Sequence, residues 1–374
     1  MRKLSWLGWC TLVASSALLC ACGGGGSSSG GSSGSMSGTP TSPPPAPASG
    51  AGAGSAAPVT ASKLDAAITA AKAAASSDPL CDTSTLGDFY WEIGDAASDA
   101  PLVSNTQGGG SITATSRFDI ASASKFVFGA YVLEKKGIDA VRSDPSLHDG
   151  LRFLSGYTGF NDNACIGKLT IGACYAAGNQ ANTTLPDPNT QGRFYYDSGH
   201  DQKLAAVDLG LSSFTSKQLD QEYQTTLGLS SGFSMAPLEP LMAGGLFASA
   251  TDYAQFLRRI MRQQLVIGAH LGEDATCAQP ATCPDKAIYS PVVLLNEPWS
   301  YSYNHWVESE NGNGTVDAYS SPGKFGFYPW ISPDRKYYGI LSRHDTQQAG
   351  AGSISARCGR QIRKAFLAVM QPST

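Results

Sequence analysis

Two residues three positions apart, Ser122 and Lys125, are the side chains whose types and spacing could do chemistry. They lie in the run RFDIASASKFVFGAYVLEKKG, residues 117–137. This run opens extended and apolar and turns at Ala121 and Ser122. It then continues as a helix, with Phe126, Val127, Ala130, Tyr131 and Leu133 at the helical period and Gly137 as its stop. On a first helical turn, residues three apart share a face. A hydroxyl there lies beside unpaired backbone N–H groups that can hold a developing oxyanion. A lysine one turn on can take the hydroxyl's proton, provided the amine is neutral. Its ordinary pKa of ~10.4 must then fall by roughly three units, about 4 kcal/mol of environment. Burial, donors and cations supply that only inside a formed pocket. Spacing alone is weak, because a first-turn serine is commonly just a cap. Ser321 and Lys324 share the spacing, but Pro322 and Gly323 between them disfavour a helix.

Other segments must therefore close over the pair. Residues 61–76 read as an Ala-rich helix, and 89–94 as a strand. From 144 to 192 the chain is rich in Gly, Asn and Pro, so it reads as loop with short helices. Residues 194–198 interrupt it, and helices are expected over 202–209 and 216–226. The stretch 241–249 leads through Thr251 and Asp252, a capping start, into a helix over 253–262. Two strands, 324–331 and 337–341, flank a turn at 332–335, and a helix over 355–370 closes the chain. Strands at both ends with helices between them point to an α+β fold in which first and last segments share one antiparallel sheet.

With 374 residues, 42% hydrophobic and 15% charged, the chain can bury a large core. Its formal charge of -4 gives no reason to expect nucleic acid as a partner. At the N-terminus, Arg2 and Lys3 precede an apolar stretch, residues 4–19, too short to span a membrane. It ends in LCACG, residues 19–23, which resembles a bacterial lipobox, with Cys20 where Ala or Ser is usual. That resemblance implies a lipoprotein signal peptide over 1–21, lipidation at Cys22 and a membrane contact through the anchor. Gly23 after it is similar to the sorting pattern for the outer membrane, which implies a bacterial outer membrane lipoprotein on the periplasmic face. An ordinary secretory signal cut nearby is the rival reading; both imply export. Residues 22–58 are Gly, Ser, Pro and Ala with almost nothing to bury, so they read as a flexible tether to a folded domain over 59–374.

Export makes the cysteines interpretable. Of nine, Cys10 and Cys20 leave with the signal and Cys22 carries lipid. An even set remains: Cys81, Cys165, Cys174, Cys277, Cys283 and Cys358. In an oxidising compartment these predict disulfides, with several pairings open. Proximity favours Cys165 with Cys174 and Cys277 with Cys283, leaving Cys81 to join Cys358. The spacing is not that of a zinc site, so no metal and no cofactor is expected.

The chain resembles the serine hydrolases of the β-lactamase and penicillin-binding-protein superfamily, above all the class C β-lactamase branch with its esterases, D-amino-acid peptidases and aminohexanoate-oligomer hydrolases. Three motifs carry the resemblance. FDIASASK, 118–125, is similar to the family's Ser-x-x-Lys; FYYDSG, 194–199, to its Tyr-x-Asn or Tyr-x-Ser; and YSSPGKFG, 319–326, stands where it has Lys-Thr-Gly, His-x-Gly or a looser x-x-Gly on an inner strand. The run MAGGLFASATDYAQF, 242–256, resembles a characteristic family segment before a helix. The resemblance covers about 89–370. It implies a β-lactamase-like (transpeptidase-like) fold, an antiparallel sheet flanked by helices plus an all-helical subregion. It also implies catalysis by Ser122, Lys125 and Tyr196, with Ser198, Ser321, Gly323 and Lys324 binding substrate. Tyr196 would relay the proton to the leaving group, and the N–H groups of Ser122 and Lys324 would form the oxyanion hole. Ser321 replaces the cation that would bind a substrate carboxylate, which favours an esterase-like reaction on a small ester, amide or peptide over a D-Ala-D-Ala peptidase or weak β-lactamase. Two rival readings stand beside it. GLSSG, 228–232, fits the Gly-x-Ser-x-Gly elbow with Ser230 as nucleophile and His305 or His344 as partner. The domain could also be a catalytically silent binding protein.

Overall fold

The computed structural model describes residues 61–179 and 185–371. The expected signal, the lipidation site Cys22 and the tether lie outside the described residues. Among those described, no helix is long and apolar enough to cross a membrane. The architecture is α+β, as expected from the order of elements.

An antiparallel sheet forms the centre. From one edge its strands run Val103–Gln107, Phe89–Asp95, Tyr337–Ser342, Tyr328–Ile331, Ala318–Ser320, His305–Glu308, Ser300–Ser302 and Thr276–Cys277. Phe89–Asp95 pairs directly with Tyr337–Ser342, Trp91 opposite Leu341, so the two ends of the domain do share a sheet. Both faces of these strands are buried, because helices cover each side. On one side lie Ala61–Ser77 and Ala351–Met370. The fully buried residues of the first are all small, Ala67, Ala71 and Ala75, at four-residue intervals, so the second can approach it closely. Trp91, Trp330, Ile362 and Phe366 fill that layer. On the other side Ser124–Lys136 and Ala250–Met261 bury Phe126, Val127, Phe256 and Leu257.

Several boundaries differ from the sequence reading. The strand expected from 324 begins only at Tyr328, because Lys324 and Phe325 form a turn before it. The helix after Tyr196 starts at Gly199 and continues as a π-helical stretch, Leu204–Asp208. The cap of Ala250–Met261 is Ser249, in a reciprocal capping box with Asp252, and not Thr251. The disulfides join Cys81–Cys358, Cys165–Cys174 and Cys277–Cys283, the pairing that proximity favours.

Candidate active site

The site starts from a backbone kink. The short strand Phe118–Asp119 pairs with Leu246–Ala248. The Asp119 carboxylate then accepts the Ala121 N–H at 2.8 Å, and Ala121 is held at φ 45°. For a residue with a Cβ this left-handed conformation costs on the order of 1–3 kcal/mol. The kink makes residues Ala121–Ala123 a 3-10 turn ahead of the α-helix Ser124–Lys136. Ser122 therefore sits just before the first α-turn and Lys125 within it. The Tyr253 hydroxyl donates to the Ala123 carbonyl at 2.8 Å, and the Leu246 N–H donates to Ser124 Oγ at 3.2 Å. Both clamp the turn from the 242–256 segment.

Lys125 is 3% exposed. Its Nζ donates to Ser122 Oγ at 3.1 Å and to the Ala243 carbonyl at 2.6 Å. Through the second bond the backbone of the 242–256 run fixes the amine beside the hydroxyl. If the amine is neutral, the contact with Ser122 can reverse, hydroxyl to nitrogen.

Tyr196 follows the strand Phe194–Tyr195 and donates its N–H to the Tyr289 carbonyl at 3.1 Å. Its ring stacks on Trp306 at 5.4 Å and stands edge-on to Tyr301 at 6.0 Å. Lys125 Nζ lies 4.9 Å from the ring centroid. The tyrosine thus meets the amine through its π-face, and its hydroxyl has no hydrogen-bond partner among the described residues. Tyr195 instead faces Tyr289 at 5.4 Å.

The 321–324 backbone closes the third side. Ser321, 2% exposed, donates from Oγ to the Ser122 carbonyl at 3.0 Å. At Gly323 a Cβ would stand 2.2 Å from the Ile120 carbonyl oxygen, so only glycine allows this approach. The Gly323 N–H is used by the Phe327 carbonyl at 2.7 Å. The Ser122 and Lys324 N–H groups have no acceptor among the described residues. The Lys324 side chain is exposed. Ser198 occupies the N-cap of Gly199–Lys203 and makes none of the hydrogen bonds of Lys125.

The second serine motif is differently placed. Ser230 follows the helix Ser216–Leu227, capped by Gly228 in the left-handed conformation, so no buried strand leads into it. Its hydroxyl donates to Asp252 at 2.6 Å. His305 is buried on Phe126 and takes the Gly272 N–H at its Nε2, while His344 stacks on Phe118 and meets Phe325 edge-on. Neither histidine hydrogen-bonds Ser230, and the elbow reading is set aside.

Behind Lys125 lie groups to which the sequence alone assigns no role. His200 is fully buried, its Nε2 bonded to the Tyr195 carbonyl at 3.0 Å and its Nδ1 to Ser155 at 2.6 Å. Burial pushes its pKa down to about 3. Asp201 beside it is also fully buried, and burial pushes its carboxyl up to about 7 against the opposing pull of Lys125. The available signal was a polar stretch, residues 197–203, directly after the tyrosine motif on a helix whose every residue proves buried.

No family model matches the chain, and no curated protein matches it. Solved structures do. The β-lactamase/D-alanine carboxypeptidase from Yersinia pestis superposes with a TM-score of 0.56 at 14% identity, covering 82% of this chain and 100% of that one. The D-amino acid amidase from Ochrobactrum anthropi SV3 complexed with L-phenylalanine gives 0.53 at 10% identity, covering 82% and 99%. The hydrolase EstCE1, described as having promiscuous acyltransferase activity, gives 0.50 at 15%, covering 82% and 98%. The chain has the fold of the β-lactamase and penicillin-binding-protein serine hydrolases.

Proposed function

We propose that this protein is a serine hydrolase that cleaves an ester or amide through an acyl-Ser122 intermediate. The observation that carries the reading is the meeting at Ser122 of groups from three segments: the Lys125 amine on Oγ, the Tyr196 ring against that amine, and the Ser321 hydroxyl on the Ser122 carbonyl. Neutral Lys125 takes the hydroxyl proton as Oγ attacks the carbonyl carbon. The Ser122 and Lys324 N–H groups then face the oxyanion. The Lys125 ammonium gives that proton to the leaving alcohol or amine, directly or by way of the Tyr196 hydroxyl, and water deprotonated by the again-neutral Lys125 or by Tyr196 then releases the acid and restores the Ser122 hydroxyl.

Esters are the favoured substrates. Ser321 stands where a carboxylate-binding cation would be needed, and its hydroxyl is committed to the Ser122 backbone. Nothing there attracts the free carboxylate of a D-alanyl peptide or a β-lactam. The N-terminal sequence supports placement of the enzyme outside the cytoplasm, anchored at the outer membrane by lipid on Cys22.

Turnover of short-chain p-nitrophenyl esters, cyclic and linear amides and a chromogenic β-lactam, each with a Ser122→Ala control, tests this. Ester hydrolysis lost in Ser122→Ala supports it. Absence of any Ser122-dependent turnover favours a silent binding protein, and preferential β-lactam cleavage overturns the ester reading.

A further inference from the structure

Lys125 and Gly129 lie one turn apart on the same face of the helix Ser124–Lys136. A Cβ at Gly129 would stand 2.6 Å from Asn304 Cβ and from the Tyr303 carbonyl oxygen. The absent side chain lets the hairpin turn between Ser300–Ser302 and His305–Glu308 press against the helix one turn behind the amine. There Asn304, at φ 60° with no solvent exposure, donates from Nδ2 to Asp201 Oδ1 at 2.8 Å. Asp201 Oδ2 and Asn304 Oδ1 are both buried and both without a partner among the described residues. Two orphaned acceptors in one bonded pair are costly. A proton on Asp201 Oδ2 removes both faults, because the acid O–H can donate to Asn304 Oδ1 while the amide donates to Oδ1 of the acid. The pair is then a closed acid–amide ring.

We propose that Asp201 is a positioning residue that acts through Lys125: buried and protonated, with its O–H given to the open acceptor of Asn304, it keeps a carboxylate from forming behind the amine and so lets Lys125 stand neutral beside Ser122. This rests on Lys125 being the base of the proposed reaction. The other cation on its helix, Lys203, is paired with Asp208, and the remaining groups around Asp201 leave Lys125 as the cation it controls. His200, on the same helix, is neutral down to about pH 3 because it is buried. Tyr223 from Ser216–Leu227 and Tyr301 from Ser300–Ser302 are buried phenols pushed well above their ordinary range. Tyr196 meets the amine through its ring face. The charged residues of Pro145–Leu151 and its cap, His148, Asp149 and Arg152, interact among themselves and with Asp274. An anion near an ammonium favours the ammonium, so a charged Asp201 would oppose the base.

The test uses the full chain and two isosteric variants, Asp201→Asn and Asn304→Asp. The infrared difference between wild type and Asp201→Asn at about pH 6, below the value of about 7 for this carboxyl, should contain the carbonyl stretch of a protonated carboxylic acid. The rate at which a fluorophosphonate labels Ser122 is then followed against pH. Asn304→Asp adds a carboxyl without the amide donor, leaving an anion behind Lys125. Its acid limb should move to higher pH, slowing labelling on that limb at least about threefold, half a pKa unit. Asp201→Asn mimics the protonated acid and can never ionise, so its limb should stay with that of wild type. A purely structural role would change melting temperature and leave the Asn304→Asp limb in place as well. Absence of the acid band, an Asn304→Asp limb that stays put in folded protein, or an Asp201→Asn limb that moves to higher pH with it overturns the proposal. Should Asn304→Asp fail to fold, the infrared band decides alone. A wild type that never labels at Ser122 removes the proposed function itself, which the infrared result does not address.

Discussion

At the scale of single residues, the chemistry depends on distances of a few ångströms around Ser122. Lys125→Ala removes the group 3.1 Å from Oγ, and should lower kcat/KM for an ester by at least about a hundredfold, the usual worth of a positioned general base. Steady-state kinetics with an unchanged far-UV spectrum would check this. Gly323→Ala places a methyl 2.2 Å from the Ile120 carbonyl oxygen and must push the 321–324 backbone off the Ser122 turn. A displacement near 1 Å costs about a hundredfold in well-aligned reactions. The expected result is a fall in kcat of that order, with substrate still bound. Ser122 and Lys125 were legible because both roles lie within one helical turn of sequence. The Ala243 carbonyl was not, because an acceptor on the backbone leaves no mark in residue type. Nor was the Asp201–Asn304 pair, since contact between residues a hundred positions apart is decided by the hairpin turn and by the missing side chain at Gly129.

At the scale of elements, the sequence was readable where periodicity is strong and unreadable where strands are short. Ser124–Lys136 and Ala351–Met370 announce themselves through apolar spacing. Ser300–Ser302 and Ala318–Ser320 are three residues each, too short for alternation to show. The expected strand from 324 failed for a related reason: Gly323 and Gly326 permit a turn that β-propensity at Phe325 and Phe327 conceals. Two buried histidines make the packing of these elements sensitive to acid. His200 and His305 have pKa values depressed to about 3 and about 4 by burial, from an ordinary 6.5. Each therefore contributes stability that is complete above pH 6.5 and is lost as pH falls toward those values, because the unfolded chain takes up the proton first. Melting temperatures at about pH 7 and about pH 4 should differ less in His305→Gln than in wild type, although the variant is less stable at neutrality. An equal difference in both proteins would show that His305 does not carry this linkage.

At the scale of the whole molecule, the sheet joins the two ends of the domain and Cys81–Cys358 locks them across 277 positions. A link over so long a loop typically contributes about 2–4 kcal/mol. Cys358→Ser should accordingly lower the melting temperature by roughly 5–10 °C, with little effect on kcat, because the site lies on the opposite face of the sheet from this bond. The same global arrangement selects one hydroxyl from a serine-rich chain. Ser146 also meets a buried amine, Lys203, that lies over the Tyr157 ring, but Asp208 pairs with that amine; at Ser122 the amine has no carboxylate bonded to it among the described residues, and distant segments bring the Tyr196 ring and the backbone held tight by Gly323. Intact-mass measurement of the protein after exposure to a fluorophosphonate, followed by peptide mapping, tests that selection most directly. A single adduct on Ser122 is expected, missing in Ser122→Ala and formed at least about a hundredfold more slowly in Lys125→Ala. An adduct on Ser230 or elsewhere, or labelling of Ser122 that is indifferent to the loss of Lys125, would contradict it.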